Sequence, residues 1–223
     1  MTDETTVIAD PAAPKRGGRP SKAQAEQLGD HILDIATELF LAEGYGATSI
    51  EAIAQRAHVA KRTLYSRFED KPALFAAVLH RIVERLYPPS NVPLYEGGSC
   101  EAVLVRLARL LLRAALTPQA LALSRLVLAE SSRFPDLTRV VAREGATSPA
   151  IRGIAALLET ETRAGRLHVD DPAFAAEHFI QMVIVLPQRR AYGLGTPMAE
   201  EELDRWADRT VDLFLNGCRG SAR

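Results

Sequence analysis

The sequence predicts an all-α fold, on three observations. Thr117-Pro118, Ser148-Pro149, Asp171-Pro172 and Thr196-Pro197 each set a capping side chain beside a proline suited to the first helical position, so each pair is expected to open a helix. Between them apolar residues recur at helical spacing. No sustained alternating run bounded by hairpin turns is present. With 223 residues, 47% of them hydrophobic and 25% charged, the chain can bury a real core and could hold one large domain or two small ones.

Residues 1–20 read as a disordered arm, acidic at Asp3, Glu4 and Asp10, then basic at Lys15, Arg16 and Arg19. The arm lacks a cationic start followed by an apolar stretch, so it is not expected to be a signal peptide. A first helix is expected near Ser21, whose hydroxyl can cap the first turn while Gln24 reaches back. It buries Leu28, Ile32, Ile35, Ala36, Leu39 and Phe40 and stops at Gly44. A second, about two turns long, opens at Thr48 with Glu51 three residues on. A third follows Ala57-His58-Val59 and runs to about Phe68. The fourth opens at Asp70, carries Leu74, Phe75, Val78, Leu79 and Ile82 inward, and ends at Pro88-Pro89. These form a domain over 21–86. The prolines and Gly97-Gly98 of 87–99 mark a linker. A second domain spans 100–217, with helices near 100–116, 118–133, 136–164 (broken near Gly145 to Pro149), 172–192 and 197–216, and 218–223 is a flexible tail.

A net charge of −1 and a pI near 6.5 give no global cationic field, so any nucleic-acid site has to be a local patch. Cys100 and Cys218, the only cysteines, are too few and too far apart for a disulfide framework, which suits a reducing cytosol. Arg113, Arg125, Glu177 and Pro187 interrupt the apolar stretches before they reach a membrane-spanning length. His168 and His178 lack companions at ligand spacing, so no metal is expected. No GxSxG, HExxH, P-loop or dinucleotide fingerprint occurs, and neither an enzyme nor a cofactor is expected.

Two short helices joined by a tight turn, Thr48 to Phe68, have the form of a helix-turn-helix, whose second helix enters the DNA major groove. Its inner face is Ile50, Ile53, Ala54, Val59, Leu64 and Phe68. Lys61, Arg62, Thr63, Tyr65, Ser66 and Arg67 stand outside and can donate to guanine edges or phosphate oxygens. The preceding basic arm, with Arg19 and Lys22, can follow the backbone or enter a minor groove.

The run Thr48-Ser49-Ile50-Glu51-Ala52-Ile53-Ala54, then Val59-Ala60-Lys61-Arg62-Thr63-Leu64-Tyr65-Ser66-Arg67-Phe68, then Asp70-Lys71 and Leu74-Phe75, resembles the TetR family signature over roughly residues 28 to 80. The resemblance implies that Thr48, Thr63, Tyr65 and Lys71 hold phosphates while Lys61, Arg62, Ser66 and Arg67 face bases. Two positions depart from the family pattern. His58 replaces the turn glycine and is expected to be strained if its φ is positive. Ala60 replaces the usual serine cap of the recognition helix, forfeiting about 1 kcal/mol.

The stretch Leu121 to Pro135 resembles the regulatory domain of an AefR-like subgroup, which implies an effector bound between helices and dimerisation through the last two long helices. Phe179, Val183, Leu186, Trp206, Leu213 and Phe214 exceed what a small core needs and are the candidate dimer interface. Arg125, Glu130, His178, Gln181 and Met182 are polar or soft groups among apolar neighbours and are the candidate effector contacts. The expected function is a cytoplasmic homodimeric repressor, released from a palindromic double-stranded DNA operator by a small-molecule effector. The alternatives are a ligand-independent structural DNA binder, or a helical small-molecule-binding protein or enzyme.

Overall fold

The computed structural model describes residues 21–86, 97–146 and 148–218. Arg19 and the basic arm ahead of Ser21 lie outside them, as do residues 87–96 of the expected linker and 219–223 of the expected tail. The described residues form ten helices: α1 (Lys22–Glu43), α2 (Ile50–Arg56), α3 (Lys61–Tyr65), α4 (Lys71–Leu86), α5 (Cys100–Ala115), α6 (Pro118–Glu130), α7 (Pro135–Ala146), α8 (Pro149–Arg163), α9 (Pro172–Ala191) and α10 (Glu200–Cys218). None is long and apolar enough to cross a membrane.

Local chemistry explains most boundaries. The Ser21 hydroxyl accepts the Gln24 N–H while the Gln24 side chain accepts the Ser21 N–H, a complete capping box. Thr117 and Asp171 cap α6 and α9, each followed by proline. Asp70 accepts the Ala73 N–H at 2.7 Å and opens α4. The cap of α2 is Ser49 and not Thr48, since Ser49 Oγ accepts the Ala52 N–H at 3.0 Å. Thr48 is buried, its hydroxyl donating to the Gly44 carbonyl at 2.8 Å. The Thr196-Pro197 pair does not open a helix. The Arg190 guanidinium holds the Thr196 carbonyl, and α10 starts at Glu200, where Glu200, Glu201 and Glu202 complement the positive helix end in place of a side-chain cap.

The helices bury two separate cores. The first core joins α1 to α4 with Leu123 and Leu126 of α6 and Leu137 of α7. Phe40, Tyr45 and Phe75 are its aromatic centre: Phe75 meets both partners edge-on at 5.2 Å between ring centroids. Arg81 of α4 spans to Asp34 of α1 with two 3.0 Å contacts. The second core comprises α5, α8, α9 and α10, with Phe179 packed 5.0 Å from Phe214. By packing, α6 and α7 therefore belong with the N-terminal helices.

Two strained positions are compensated differently. His58 is the only non-glycine residue at positive φ among the described residues, at 54°. It takes that conformation because the Val59 N–H closes α2 onto the Ala54 carbonyl at 3.0 Å, a bond that needs a left-handed residue between. Pro187 lies inside α9 and has no N–H to give the Val183 carbonyl four residues back. Trp206 of α10 supplies the donor instead, Nε1 to the Val183 oxygen at 2.9 Å.

Left-handed backbone costs a non-glycine residue about 1–2 kcal/mol, partly offset by the entropy glycine loses on folding. His58→Gly is therefore expected to raise stability by about 1 kcal/mol in urea denaturation. Trp206→Phe strands the Val183 carbonyl and is expected to cost about 2 kcal/mol. Adding Pro187→Ala restores an N–H to that carbonyl, so the double variant is expected to recover part of the loss in the same assay.

Candidate functional site

The turn over residues 57–60 sets α3 across α2 with Leu64 fully buried. Val59 and Phe68 pack beside it against the first core. Around the buried Leu64, Lys61, Arg62, Tyr65 and Ser66 are all exposed and Thr63 is half-buried. Tyr65 is 45% exposed, a large aromatic alcohol left in solvent beside cations. Arg62 makes no ion pair or side-chain hydrogen bond among the described residues. The Ser66 hydroxyl donates to the Thr63 carbonyl at 2.8 Å. As expected for alanine, the cap at Ala60 makes no side-chain hydrogen bond.

Lys61 is not a free cation. It pairs with Glu51 of α2 and sits 5.6 Å from the Tyr65 ring centre. The hydrogen bond with Lys61 holds the Glu51 carboxyl below its ordinary range, and the same bond raises the ammonium. A strip of hydroxyls with one unengaged guanidinium and one exchangeable ammonium suits a duplex groove, where phosphates or base edges replace solvent and the carboxylate.

A cavity of about 600 Å³ opens between α4, α7 and the start of α8. Ala76, Ala77, Leu79 and Val141 form apolar walls, while His80, Glu144 and Arg152 bring polar groups to it. His80 Nδ1 and Glu144 Oε2 stand 3.8 Å apart. The cavity lies along the seam between the two cores. A second, shallower groove on α9 and α10 is lined by Gln181, Met182, Val185, Leu186, Trp206, Thr210 and Leu213.

Comparison with known proteins agrees with this arrangement. Residues 32–78 match the family model for bacterial regulatory proteins of the tetR family. Residues 102–217 match that for the C-terminal domain of AefR-like transcriptional repressors. The chain belongs to the TetR family. Among solved structures, the flavonoid-responsive regulator FrrA is 33% identical, with a TM-score of 0.71 over 88% of this chain and all (100%) of that one. A TetR-family transcriptional regulator from Mesorhizobium loti is 29% identical, with a TM-score of 0.70 over 88% of this chain and 99% of that one. The curated HTH-type transcriptional repressor ComR of Escherichia coli K12 is 37% identical over 104 residues, 46% of this chain and 45% of that one. For AcrR of Shigella flexneri the figures are 38% over 60 residues, 27% and 28%. The matched segments thus span less than two-thirds of these curated relatives.

Within this TetR-family chain several residues assigned from sequence stand elsewhere. Thr48, expected on a phosphate, is 1% exposed and ties α1 to α2. Arg67, expected near bases, turns back to α1, its Nη2 donating to the Ala25 carbonyl at 2.7 Å. Lys71, expected on a phosphate, donates to the Gly46 carbonyl at 3.3 Å with its ammonium 4.4 Å from the Tyr45 ring centre, and burial pushes its pKa down. All three tie elements of the head together.

None of the five expected effector contacts lines the 600 Å³ cavity. Arg125 donates to the Ala191 carbonyl at 3.3 Å and covers Tyr192. Glu130 accepts the Gly46 N–H. His178 is exposed and stacked on Phe174, and Gln181 and Met182 face the shallow groove. Of the expected dimer residues, Phe179, Val183 and Phe214 are core, at 0%, 0% and 8% exposure, whereas Leu186, Trp206 and Leu213 line the groove. The cavity's own walls gave no motif. The break at Gly145 to Pro149, which forms one of its edges, was the one visible signal.

Burial pushes the Tyr45 phenol up to about 12 from an ordinary value near 10, with Asp136, Asp70 and Glu130 adding to it. The folded state therefore keeps its proton where the unfolded chain releases it, and stability present below pH 10 is lost as pH rises towards 12. Tyr45→Phe is expected to flatten the decline of unfolding free energy between pH 10 and 12.

Proposed function

We propose that the protein is a homodimeric, sequence-specific DNA-binding repressor that leaves a palindromic operator when a small molecule enters the cavity between α4, α7 and α8. Two copies present α3 to successive major grooves, about 34–36 Å apart. Arg62 and Ser66 read base edges, Thr63 and Tyr65 hold phosphates, and Lys61 exchanges Glu51 for the duplex. Arg19 follows the backbone from the arm. The carrying observation is the exposed donor strip of α3 above a fully buried Leu64.

The groove on α9 and α10 supports dimerisation there: Val185, Leu186 and Leu213 are 42%, 39% and 66% exposed in the single chain and together form an apolar face. Packing two such helix pairs gives a four-helix interface that carries both heads on one rigid base. The effector class is a largely aromatic molecule with hydrogen-bonding hydroxyls. Support comes from the volume and apolar walls of the cavity, its His80, Glu144 and Arg152 rim, and the likeness to a flavonoid-responsive regulator. The protein works in the cytoplasm, where its operator lies.

Selection of bound sequences from random DNA is expected to return an inverted repeat. On that operator, Arg62→Ala with Tyr65→Phe is expected to weaken binding by about 100-fold while leaving the dimer mass unchanged in light scattering. Unaltered affinity refutes the assignment of α3 as the reading element. Glu51→Gln frees Lys61 for a phosphate. It is expected to tighten binding and to steepen the slope of log K against log salt by about 0.9, one extra contact.

A further inference from the structure

We propose that Glu130 fixes the attitude of the DNA-binding head by locking the α1–α2 turn onto the end of α6. The consequence is that α1 to α4 and α6–α7 turn as one unit against the body built from α5 and α8 to α10, with Arg125 of α6 crossing to that body at the Ala191 carbonyl. The inference rests on the operator-binding reading above and names the residue that positions its heads.

The turn is Gly44-Tyr45-Gly46, and its glycines leave space that Glu130 and Phe134 fill. Glu130 Oε2 accepts the Gly46 N–H at 2.8 Å across 84 residues of sequence. On the other side of the same residue, Lys71 of α4 donates to the Gly46 carbonyl at 3.3 Å. Both polar groups of Gly46 are thus engaged, one by the head's own helix and one by α6. Gly44 has a φ of +90°, and a Cβ there would collide with Glu130 Oε1. A Cβ on Gly46 would stand 2.8 Å from the Phe134 ring. Tyr45, between the glycines, meets Phe134 edge-on at 5.3 Å while its other aromatic partners are Phe40 and Phe75 inside the head. The turn is fitted to α6 and Phe134 as closely as to its own core.

This grip matters because of where the seam runs. Leu123, Leu126 and Leu137 share the head's core, whereas Ile154, Leu158 and Phe179 belong to the other. The cavity opens along that seam, with Leu79 and Val141 on one side and Pro149 and Arg152 on the other. A molecule that separates the sides moves α7, and with it α6. Through Glu130 that displacement reaches the α1–α2 turn directly, in addition to any movement of α4.

The experiment is selection of bound sequences from random DNA by the full-length protein, comparing wild type, Glu130→Gln, Glu130→Ala and Gly46→Ala. Wild type is expected to enrich one separation between half-sites. Glu130→Gln keeps an oxygen for the Gly46 N–H and is expected to enrich the same separation. Glu130→Ala is expected to enrich the same half-site at several separations. Its affinity for an isolated half-site should stay within about twofold, and that for the wild-type operator should fall at least tenfold. Gly46→Ala, which wedges Phe134 away, is expected to relax separation in the same manner and serves if the Glu130→Ala chain does not fold. A single wild-type separation retained by both alanine variants overturns the inference. Wild type enriching no half-site at all overturns the operator reading itself, a distinct result.

Discussion

A helix of five residues has no stability of its own, so the donor strip on α3 exists only because of what lies under and behind it. Under it is Leu64, wholly buried in a core to which α1, α2, α4, α6 and α7 contribute. Behind it, Arg67 ties the end of α3 to the Ala25 carbonyl, with its guanidinium 3.0 Å from where a Cβ on Gly29 would stand. The cap that would ordinarily help, at Ala60, contributes no side-chain bond. The reading surface therefore takes its rigidity almost entirely from tertiary packing, and it inherits any displacement of the helices that supply that packing.

That dependence gives α6 and α7 their importance. They are inserted in the chain between α5 and α8, yet their apolar faces complete the core of the N-terminal helices. The body beneath has its own internal ties. Trp206 closes the carbonyl that Pro187 leaves open, Phe179 meets Phe214, and Arg109 of α5 reaches Asp208 of α10 at 2.9 Å. Covalent order and packing order disagree at α6–α7, and a disagreement of this kind lets one part of a small protein shift against another without unfolding either.

Much of this was legible in sequence where the determining contacts are local. Ser21 with Gln24, Thr117-Pro118 and Asp171-Pro172 sit within a turn of the groups they cap, so residue type nearly decides the outcome. Ser49 and Thr48 are adjacent and chemically alike, and burial of the threonine, a tertiary matter, decided between them. The helix-turn-helix was legible because its inner face, Ile50, Ile53, Ala54 and Leu64, forms a small local core. The contacts of charges whose partners are remote in sequence were not legible: Arg67 meets Ala25, Lys71 meets Gly46, and Glu130 meets the same Gly46 from the end of α6. A polar residue in an apolar run signals that something satisfies it, without saying whether that is a ligand or a backbone amide. Phe179 and Val183 failed differently. Helix α9 is apolar on two faces, and periodicity cannot say which of them its own core takes.

The seam also decides which ligands can act. A molecule shifts an equilibrium only by the difference between its affinities for the two states. Moving a population from 1:99 to 99:1 takes about 5.5 kcal/mol of such difference. A ligand confined to one of the two cores makes the same contacts whatever the angle between them and has no leverage, however tightly it binds. One that touches Leu79 and Val141 on one side and Pro149 and Arg152 on the other loses or gains contacts with every change in their separation. The apolar walls make that differential large, because dispersion contacts fall away over fractions of an ångström. On the effector reading proposed above, the polar rim selects which molecule enters. Placing the cavity across the boundary of two separately packed units is thus the condition under which binding there can be felt at α3.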